Sequence, residues 1–481
     1  MKLGAGRRWP KLYCGIMAKT FRPYSLDQHL LLPPDLRDWL PEGHLALYVS
    51  DVVDALDLSA IYRVYAEADP RGAVAYHPAM LVKLLVYAYC VGMPSSRRIE
   101  RGTFEDVALR VLAGDQHPDH DTIAAFRQRH LPALAALFLQ VLQLCQRAGL
   151  VRLGHVALDG TKVLANASKH KAMSYQRMGE TEQRLEREVR ELLEQAAARD
   201  AAEDAQYGKG RRGDELPQEL ARRESRLRKI REAKAELEAE ARAAAAEQAD
   251  VARAQCAERE RKAEETGKRP GGRPPAIPDP ATAVPKPKAQ RNFTDPESRI
   301  MKDGATKSFV QAYNAQVAVD GTAQVIVAAA VTQEANDVEQ LVPLLELVKR
   351  NVGRMPVVVT ADAGYFSEAN VTAEALREVD LYIPPDRQRH SVDEVAAGAL
   401  PLPEVGVREQ MRQKVGTPEG QKVYRLRKVI AEPVFGQTKE CRGFRRFAFR
   451  GMDNVSAEWI LICLTHNVLK LFRSGWQPVA A

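Results

Sequence analysis

Residues 308–331 read "SFVQAYNAQVAVDGTAQVIVAAAV". Two runs rich in Val, Ala and Ile flank Asp320 and Gly321, and an Asp-Gly step between such runs is a strong hairpin signal. The stretch therefore reads as two antiparallel strands, with Asp320 explained by its turn. Toward the N-terminus, "HVALDGTK" (155–162) is another strand-like block, in which Asp159 ends a small apolar run and Gly160 follows at once. Toward the C-terminus, a helix is predicted from about Val338 to Lys349, capped by Asn336 or Asp337; Asp337 also reads as a fourth acid near the site, but the cap explains it. "MPVVVTADAGYF" (355–366) is then an apolar strand ending on Asp362, and Ser367 opens another helix. "DLYIPPD" (380–386) adds a short strand and "AEPVFGQTKECRGF" (431–444) a helical region.

Three antiparallel strands followed by a parallel crossover give an α/β class with a mixed sheet flanked by helices, the order of the ribonuclease H-like fold. Neighbouring strands of such a sheet can bring distant carboxylates together. Sites favour the carboxyl ends of strands at a switch in topology, where Asp362 falls if "PVVVT" is the strand.

The rest of the chain is organised around that sheet. From 34 to 150 apolar residues recur at spacings of three and four, which predicts an all-α N-terminal domain after a tail at 1–33. In "PAMLVKLLVYAYCVGM" Pro78 suits a first helical position and Gly92 a stop. In "HDTIAAFRQRH" Asp121 or Thr122 is read as a cap, with Ile123 and Phe126 inward and Arg127, Gln128 and Arg129 near the outer surface. Residues 151–170 begin the α/β domain. Residues 171–268, dense in Glu, Arg, Lys, Gln and Ala with sparse apolar positions, have a long-helix or coiled-coil pattern. The break at 207–217 makes an antiparallel helical hairpin of this insertion. Residues 269–298 form a basic, Pro-rich linker, extended or disordered, and 299–475 complete the α/β domain.

Composition sets limits on function. The 481 residues carry a formal net charge of +7 and are 45% apolar, enough for ordinary cores, and the positive balance favours polyanionic partners. Six scattered cysteines lack the spacing of a zinc site or disulfide framework, and are read as reduced, in the cytoplasm. "ALAALFLQVLQLC" from Ala133 is too short and too interrupted by glutamines for a membrane span. Met17 is an alternative start to Met1. His117, His120 and His130 are a weaker metal-cluster candidate.

Asp159 and Asp362 alone also read as strand-end turn residues. The third carboxylate chosen with them is Glu432, because Lys439 lies seven residues later and would project from nearly the same face of a continuous helix. Pro433 disfavours helical geometry at Glu432, so the helix starts or kinks there. Three acids and a lysine are the set that phosphodiester chemistry uses: oxygen ligands hold divalent cations and the lysine positions a phosphate.

"LDGTK", "YNAQVAVD", "TADAGYF" and "EPVFGQTKECRGFRRFAFRG", with "THN" downstream, resemble the DDE transposases of bacterial insertion sequences over most of the chain. The resemblance implies that Asp159, Asp362 and Glu432 hold two magnesium (or manganese) ions and that Lys439 contacts phosphate. Water would attack a phosphodiester at the element end, and the released 3′-hydroxyl would then attack target DNA. Implied partners are double-stranded DNA, as terminal inverted repeats and target, and further copies of the chain in a homodimer or higher oligomer; no membrane is involved. The family's last signature is Tyr, two residues, Arg, three residues, Glu, six residues, Lys. Here Tyr424 and Arg427 stand one position too far upstream, and Lys428 occupies the arginine slot. Two other readings stand beside this one: a nuclease that does not join strands, and an inactive DNA-binding protein.

For DNA contact the candidates are Arg127 and Arg129 on the N-terminal helix, Lys428, and Arg442, Arg445 and Arg446 of the Arg/Phe-rich stretch. There Phe444, Phe447 and Phe449 are read as core rings and the arginines as DNA-facing. His466 and Asn467 are read as structural.

Overall fold

The hairpin read at 308–331 forms in the computed structural model of the chain, which describes residues 35–66, 75–207, 218–267, 271–304, 306–386 and 406–478. The predicted tail with both candidate starts, Cys14 and all but the first residue of the predicted hairpin break lie outside the described residues.

The helices α1 (Leu45–Asp54), α2 (Ser59–Ala66), α3 (Pro78–Cys90), α4 (Ser96–Glu105), α5 (Val107–Leu112) and α6 (His120–Arg147) come first. Next are β1 (His155–Leu164), β2 (Ala172–Ser174), the long helices α7 (Tyr175–Tyr207) and α8 (Gln218–Thr266), and β3 (Gln290–Asn292), which pairs with β2. The remainder runs β4 (Arg299–Lys302), β5 (Phe309–Asp320), β6 (Val325–Thr332), α9 (Leu341–Val352), β7 (Val358–Thr360), α10 (Glu368–Val371), β8 (Asp380–Tyr382), α11 (Val407–Gly416), α12 (Pro418–Ile430), α13 (Glu432–Gly436) and α14 (Met452–Ser474).

The expected mixed sheet is present. β5 is its spine: β1 lies on one side, while β4 and β6 share the other, all antiparallel to β5. β7 adds parallel to β1, and β8 parallel to β7, so the order is β6-β5-β1-β7-β8. Asp320 holds the hairpin turn, its Oδ1 accepting from the Thr322 amide at 2.8 Å, and its Oδ2 ties down the approach to β1 by accepting from the Leu153 amide at 2.6 Å.

Some expectations need correction. Asp159 does not end a strand: pairing with β5 carries β1 on to Leu164 and leaves Asp159 in mid-strand, opposite Val317. The helix expected from Val338 begins as a 3-10 turn (Val338–Gln340) and becomes α-helical only at Leu341. Asp119, not Asp121 or Thr122, caps α6, accepting from the Thr122 amide at 2.7 Å. The three histidines do not converge on a metal. His117 stacks on Phe104, His120 Nδ1 lies 2.8 Å from Glu100, and His130 stacks on Tyr65.

A single hydrophobic core joins the N-terminal helices to the sheet. Its centre is α14, which packs on α6 and on β6. The helix is long and apolar enough by composition to cross a membrane, but most of it is buried inside the protein. Asn467 Oδ1 accepts from the Ile326 amide at 2.9 Å and its Nδ2 donates to the Ile326 carbonyl at 2.8 Å, pinning α14 to β6 beside the bulge that shifts the β5–β6 register.

His466 makes the core sensitive to acid. Its Nε2 lies 2.9 Å from the Gln324 carbonyl, and burial, helped by the like charge of Arg442, pushes its pKa down to about 3. Below about pH 6.5 an unfolded histidine binds a proton that the folded one refuses. Stability present above about 6.5 is thus lost toward about 3, at up to about 1.4 kcal/mol per pH unit. Replacing His466 with Gln is expected to shrink the stability difference between pH 7 and pH 5 by about 2 kcal/mol, measured by denaturant unfolding. Parallel acid limbs for wild type and variant would contradict this.

The insertion forms apart from that core. α7 and α8 run antiparallel around Met178, Leu185, Leu227, Ile230 and Leu237. Glu182 pairs with Arg231 at 3.1 Å and Lys234 at 2.9 Å, and Glu188 with Arg223 at 3.6 Å. At 49 residues α8 is on the order of 75 Å long. The described part of the Pro-rich linker folds back on it, with Arg259 donating to the carbonyls of Gly271 and Gly272 at 3.1 and 2.8 Å.

Candidate active site

Asp159 sits on the central strand between β5 and β7, its side chain 16% exposed. Burial pushes its carboxyl up to about 7; the guanidinium of Arg427 pulls it down, Asp362 raises it, the Gly160 amide lowers it and Asp337 raises it again. Asp362 follows β7 and caps the 3-10 turn Ala363–Tyr365, accepting from the Gly364 amide at 2.9 Å. β7 runs parallel to β1, so Asp159 and Asp362 come from adjacent strands and reach one another's field.

Glycine after Asp159 has a spatial cause. A Cβ built on Gly160 would stand 2.4 Å from Gln316 Nε2 and 2.9 Å from Asp337 Oδ1. Gly160→Ala is therefore expected to cost about 1–3 kcal/mol by overpacking, read as a lower denaturation midpoint. An unchanged midpoint would contradict the close approach.

The C-terminal helices bring the third acid. α12 ends at Ile430 and α13 starts at Glu432, so the break expected from Pro433 is there. Arg427 lies across it: Nη1 is 3.2 Å from Asp159 Oδ2 and Nη2 is 3.8 Å from Glu432 Oε1. The guanidinium also lies 5.9 Å from the centre of the Tyr424 ring. Lys428, one residue on, is exposed. In space Arg427 thus stands at the acids, although the spacing of the family signature puts Lys428 in the arginine slot. The face of α12 decides this: Tyr424, Arg427 and Ala431 follow one another at helical spacings of three and four. Lys439 is carried by a π-helical turn (Gln437–Cys441) rather than a continuous α-helix. Its Nζ donates to the Lys162 carbonyl at 2.8 Å, and burial lowers its pKa.

Four further side chains that sequence reasoning did not select join these around Asp337. Asn314 and Gln316 donate to Asp337 Oδ1 at 2.6 and 2.7 Å, and Lys162 Nζ is 3.8 Å from the same oxygen. Tyr365 donates to Gln316 Oε1. The available signal was two amides at alternating positions of the otherwise apolar "YNAQVAVD", since a buried polar side chain needs a partner. Asp337 reads from the sequence as a fourth acid that a helix cap explains, but its side chain makes no capping bond.

Carboxylate oxygens are the ligands that hard divalent cations take. The residues fit such an ion in two respects: a buried carboxylate whose charge burial disfavours, and a buried Asn314 Oδ1 without a hydrogen-bond partner. Among the described residues no three His, Cys, Asp or Glu side chains converge as a ligand set. The positive charge between Asp159 and Glu432 is that of Arg427.

The arginines chosen for DNA separate into two groups. Arg127 is not on the outer surface: it lies four residues from Ile123 and four from Leu131, on the inward stripe of α6, donates to Tyr89 Oη at 3.3 Å and to the Pro94 carbonyl, and covers the Phe449 ring at 5.2 Å. Arg442 is likewise buried, donating to Thr465 Oγ1 at 2.9 Å and Thr438 Oγ1 at 3.1 Å, with burial lowering its pKa to about 10. Arg129, Arg445 and Arg446 are exposed. Phe444 and Phe447 are core rings as expected, and Phe449 is half-buried. The segment 445–447 extends the sheet beyond β1, with Leu164 donating to the Arg445 carbonyl at 3.0 Å and Phe447 to the Leu164 carbonyl at 2.9 Å.

Two family models match parts of the chain. Residues 34–129 match the transposase domain family (DUF772), and residues 402–472 match the transposase DDE domain family. The second match contains Arg427, Glu432 and Lys439; Asp159 and Asp362 lie outside both. No curated protein and no solved structure matches the chain.

Proposed function

We propose, from the premise that this chain is a DDE transposase of the insertion-sequence type, that its catalytic acids are Asp159, Asp362 and Glu432 on a ribonuclease H-like sheet. As a transposase it binds DNA, cleaves it and transfers strands, with a general dependence on a divalent metal. The observation that carries the assignment is Arg427 bridging Asp159 and Glu432, 268 residues from the former, while Asp362 acts on Asp159 from the neighbouring strand.

In this reading Asp159, Asp362 and Glu432 would hold two magnesium or manganese ions, which would supply activation of the attacking oxygen and charge stabilisation of the leaving one. The chain's own residues supply position and charge, the larger part of catalysis in in-line displacement. Arg427 opposes the burial of Asp159 and favours its ionised form. Lys439, beside the β1 backbone, contacts a phosphate near the scissile bond. Arg129, Lys428, Arg445 and Arg446 neutralise phosphates along the duplex. Residues 34–150 act as the DNA-binding domain, 151–170 and 299–475 as the catalytic domain, and α7–α8 as a coiled-coil insertion. Joining two terminal inverted repeats to target DNA calls for paired active sites, hence a dimer or higher assembly.

The test is product analysis with a labelled element end, taken from the DNA flanking the gene, and a supercoiled target. Labelled end joined to target is expected. Cut ends without joining would assign a nuclease instead, and binding without cutting an inactive DNA-binding protein.

A further inference from the structure

Asp337 lies between the two acids of the sheet without being explained by either a cap or a turn. A Cβ built on Gly160, next to Asp159, would be 2.9 Å from Asp337 Oδ1. One built on Gly364, two residues after Asp362, would be 3.4 Å from Asp337 Oδ2 and 2.9 Å from Asp362 Oδ1. Two glycines thus leave room for this carboxylate, and one of its oxygens approaches the same point as an oxygen of Asp362.

The two oxygens differ. Oδ1 takes the amides of Asn314 and Gln316 at 2.6 and 2.7 Å and faces Lys162 at 3.8 Å, whereas Oδ2 receives none of these contacts. The carboxylate is only 19% exposed, so it is clamped by one oxygen and aimed by the other. The Asn314 carboxamide, itself fully buried and directed at Asp337, keeps its Oδ1 without a partner. A buried acceptor without a donor costs free energy unless something positive reaches it. Asn314 turns its Nδ2 to Asp337 Oδ1, and Asp337 Oδ2, beside the Asp362 carboxylate at Gly364, is an oxygen of the kind a hard cation takes.

We propose that Asp337 is a fourth carboxylate of the active site and helps hold the divalent cation beside Asp362. This rests on the reading of Asp159 and Asp362 as the cation-holding acids. Asn314 and Gln316 are positioning residues, fixing Asp337 Oδ1 so that Oδ2 points toward the Asp362 turn.

The experiment is a Mn²⁺ titration of the full-length protein without DNA, followed by the electron paramagnetic resonance of free Mn²⁺, for wild type, D159N, D362N and D337N. Asparagine at this position still offers an oxygen to both amides, so D337N removes charge while keeping the clamp. D337N is expected to weaken Mn²⁺ binding about tenfold or more. D159N and D362N should also weaken it. Wild-type affinity in D337N alongside weakened D159N and D362N would overturn the proposal and leave Asp337 a structural clamp. Wild-type affinity in all three variants would overturn the reading of the acids as well. If D337N melts well below wild type, the wild-type chain decides instead. Loaded with Fe²⁺ and treated with ascorbate and peroxide, it should be cut near 337 as well as near 159 and 362. Cuts at the latter two alone would overturn the proposal.

Discussion

Asp362→Asn is expected to lower cleavage at the element end by about 10³-fold or more, on the order of 4 kcal/mol of transition-state stabilisation. The substitution is close to isosteric. Asparagine keeps an oxygen for the Gly364 amide, which Asp362 now receives at 2.9 Å, so the turn after β7 should survive. What disappears is the negative charge beside the buried Asp159. End binding should change by less than about twofold, because phosphate contacts rest on exposed cations elsewhere on the surface. A gel-shift series run beside a cleavage assay checks both halves. Loss of binding in parallel with cleavage would mean that Asp362 is a structural turn residue, and the assignment would fail.

The second large effect concerns stability and falls on Arg442. Its guanidinium is buried under α14, bonded to Thr465, Thr438 and, at 3.4 Å, the Ile462 carbonyl. Truncation to alanine would open a cavity and leave those acceptors short of a donor, an expected loss of about 3 kcal/mol. Relief of the desolvated charge offsets part of that cost, which is why the figure is not larger. Arg446→Ala, on the exposed side of the same segment, should change stability by less than about 0.5 kcal/mol and instead weaken DNA binding and flatten its salt dependence. Equal stabilities for the two variants would contradict the partition of this segment into a buried arginine and DNA-facing ones.

These two residues also mark where the sequence could be read and where it could not. The hairpin, the apolar β7 and the position of Asp362 follow from local rules, namely the Asp-Gly turn and short apolar runs; the hairpin is where those rules put it, and β7 ends at Thr360, two residues before Asp362. Mid-strand Asp159 was harder, because β1 extends past it only through its pairing with β5. Arginines were misread where their role depends on what covers them. Arg127 and Arg442 look like surface cations in any helical or loop pattern, and only the packing of α3, α6 and α14 encloses them. The 427/428 ambiguity has a similar origin. Counting along a straight helix fails when the helix breaks at Ala431 and continues through a π-turn. Asp337 is set aside as a fourth acid because an acid just before a helix already has an ordinary explanation, and nothing local says that the cap bond is absent.

The most direct test of the account is cleavage of a supercoiled plasmid carrying the element's flanking ends, with magnesium or with EDTA, by the wild type and by Asp159→Ala. Cutting at those ends that requires magnesium and vanishes in the variant is the predicted result. Cutting that survives in Asp159→Ala, or that proceeds in EDTA, would contradict a metal-dependent site built on that carboxylate.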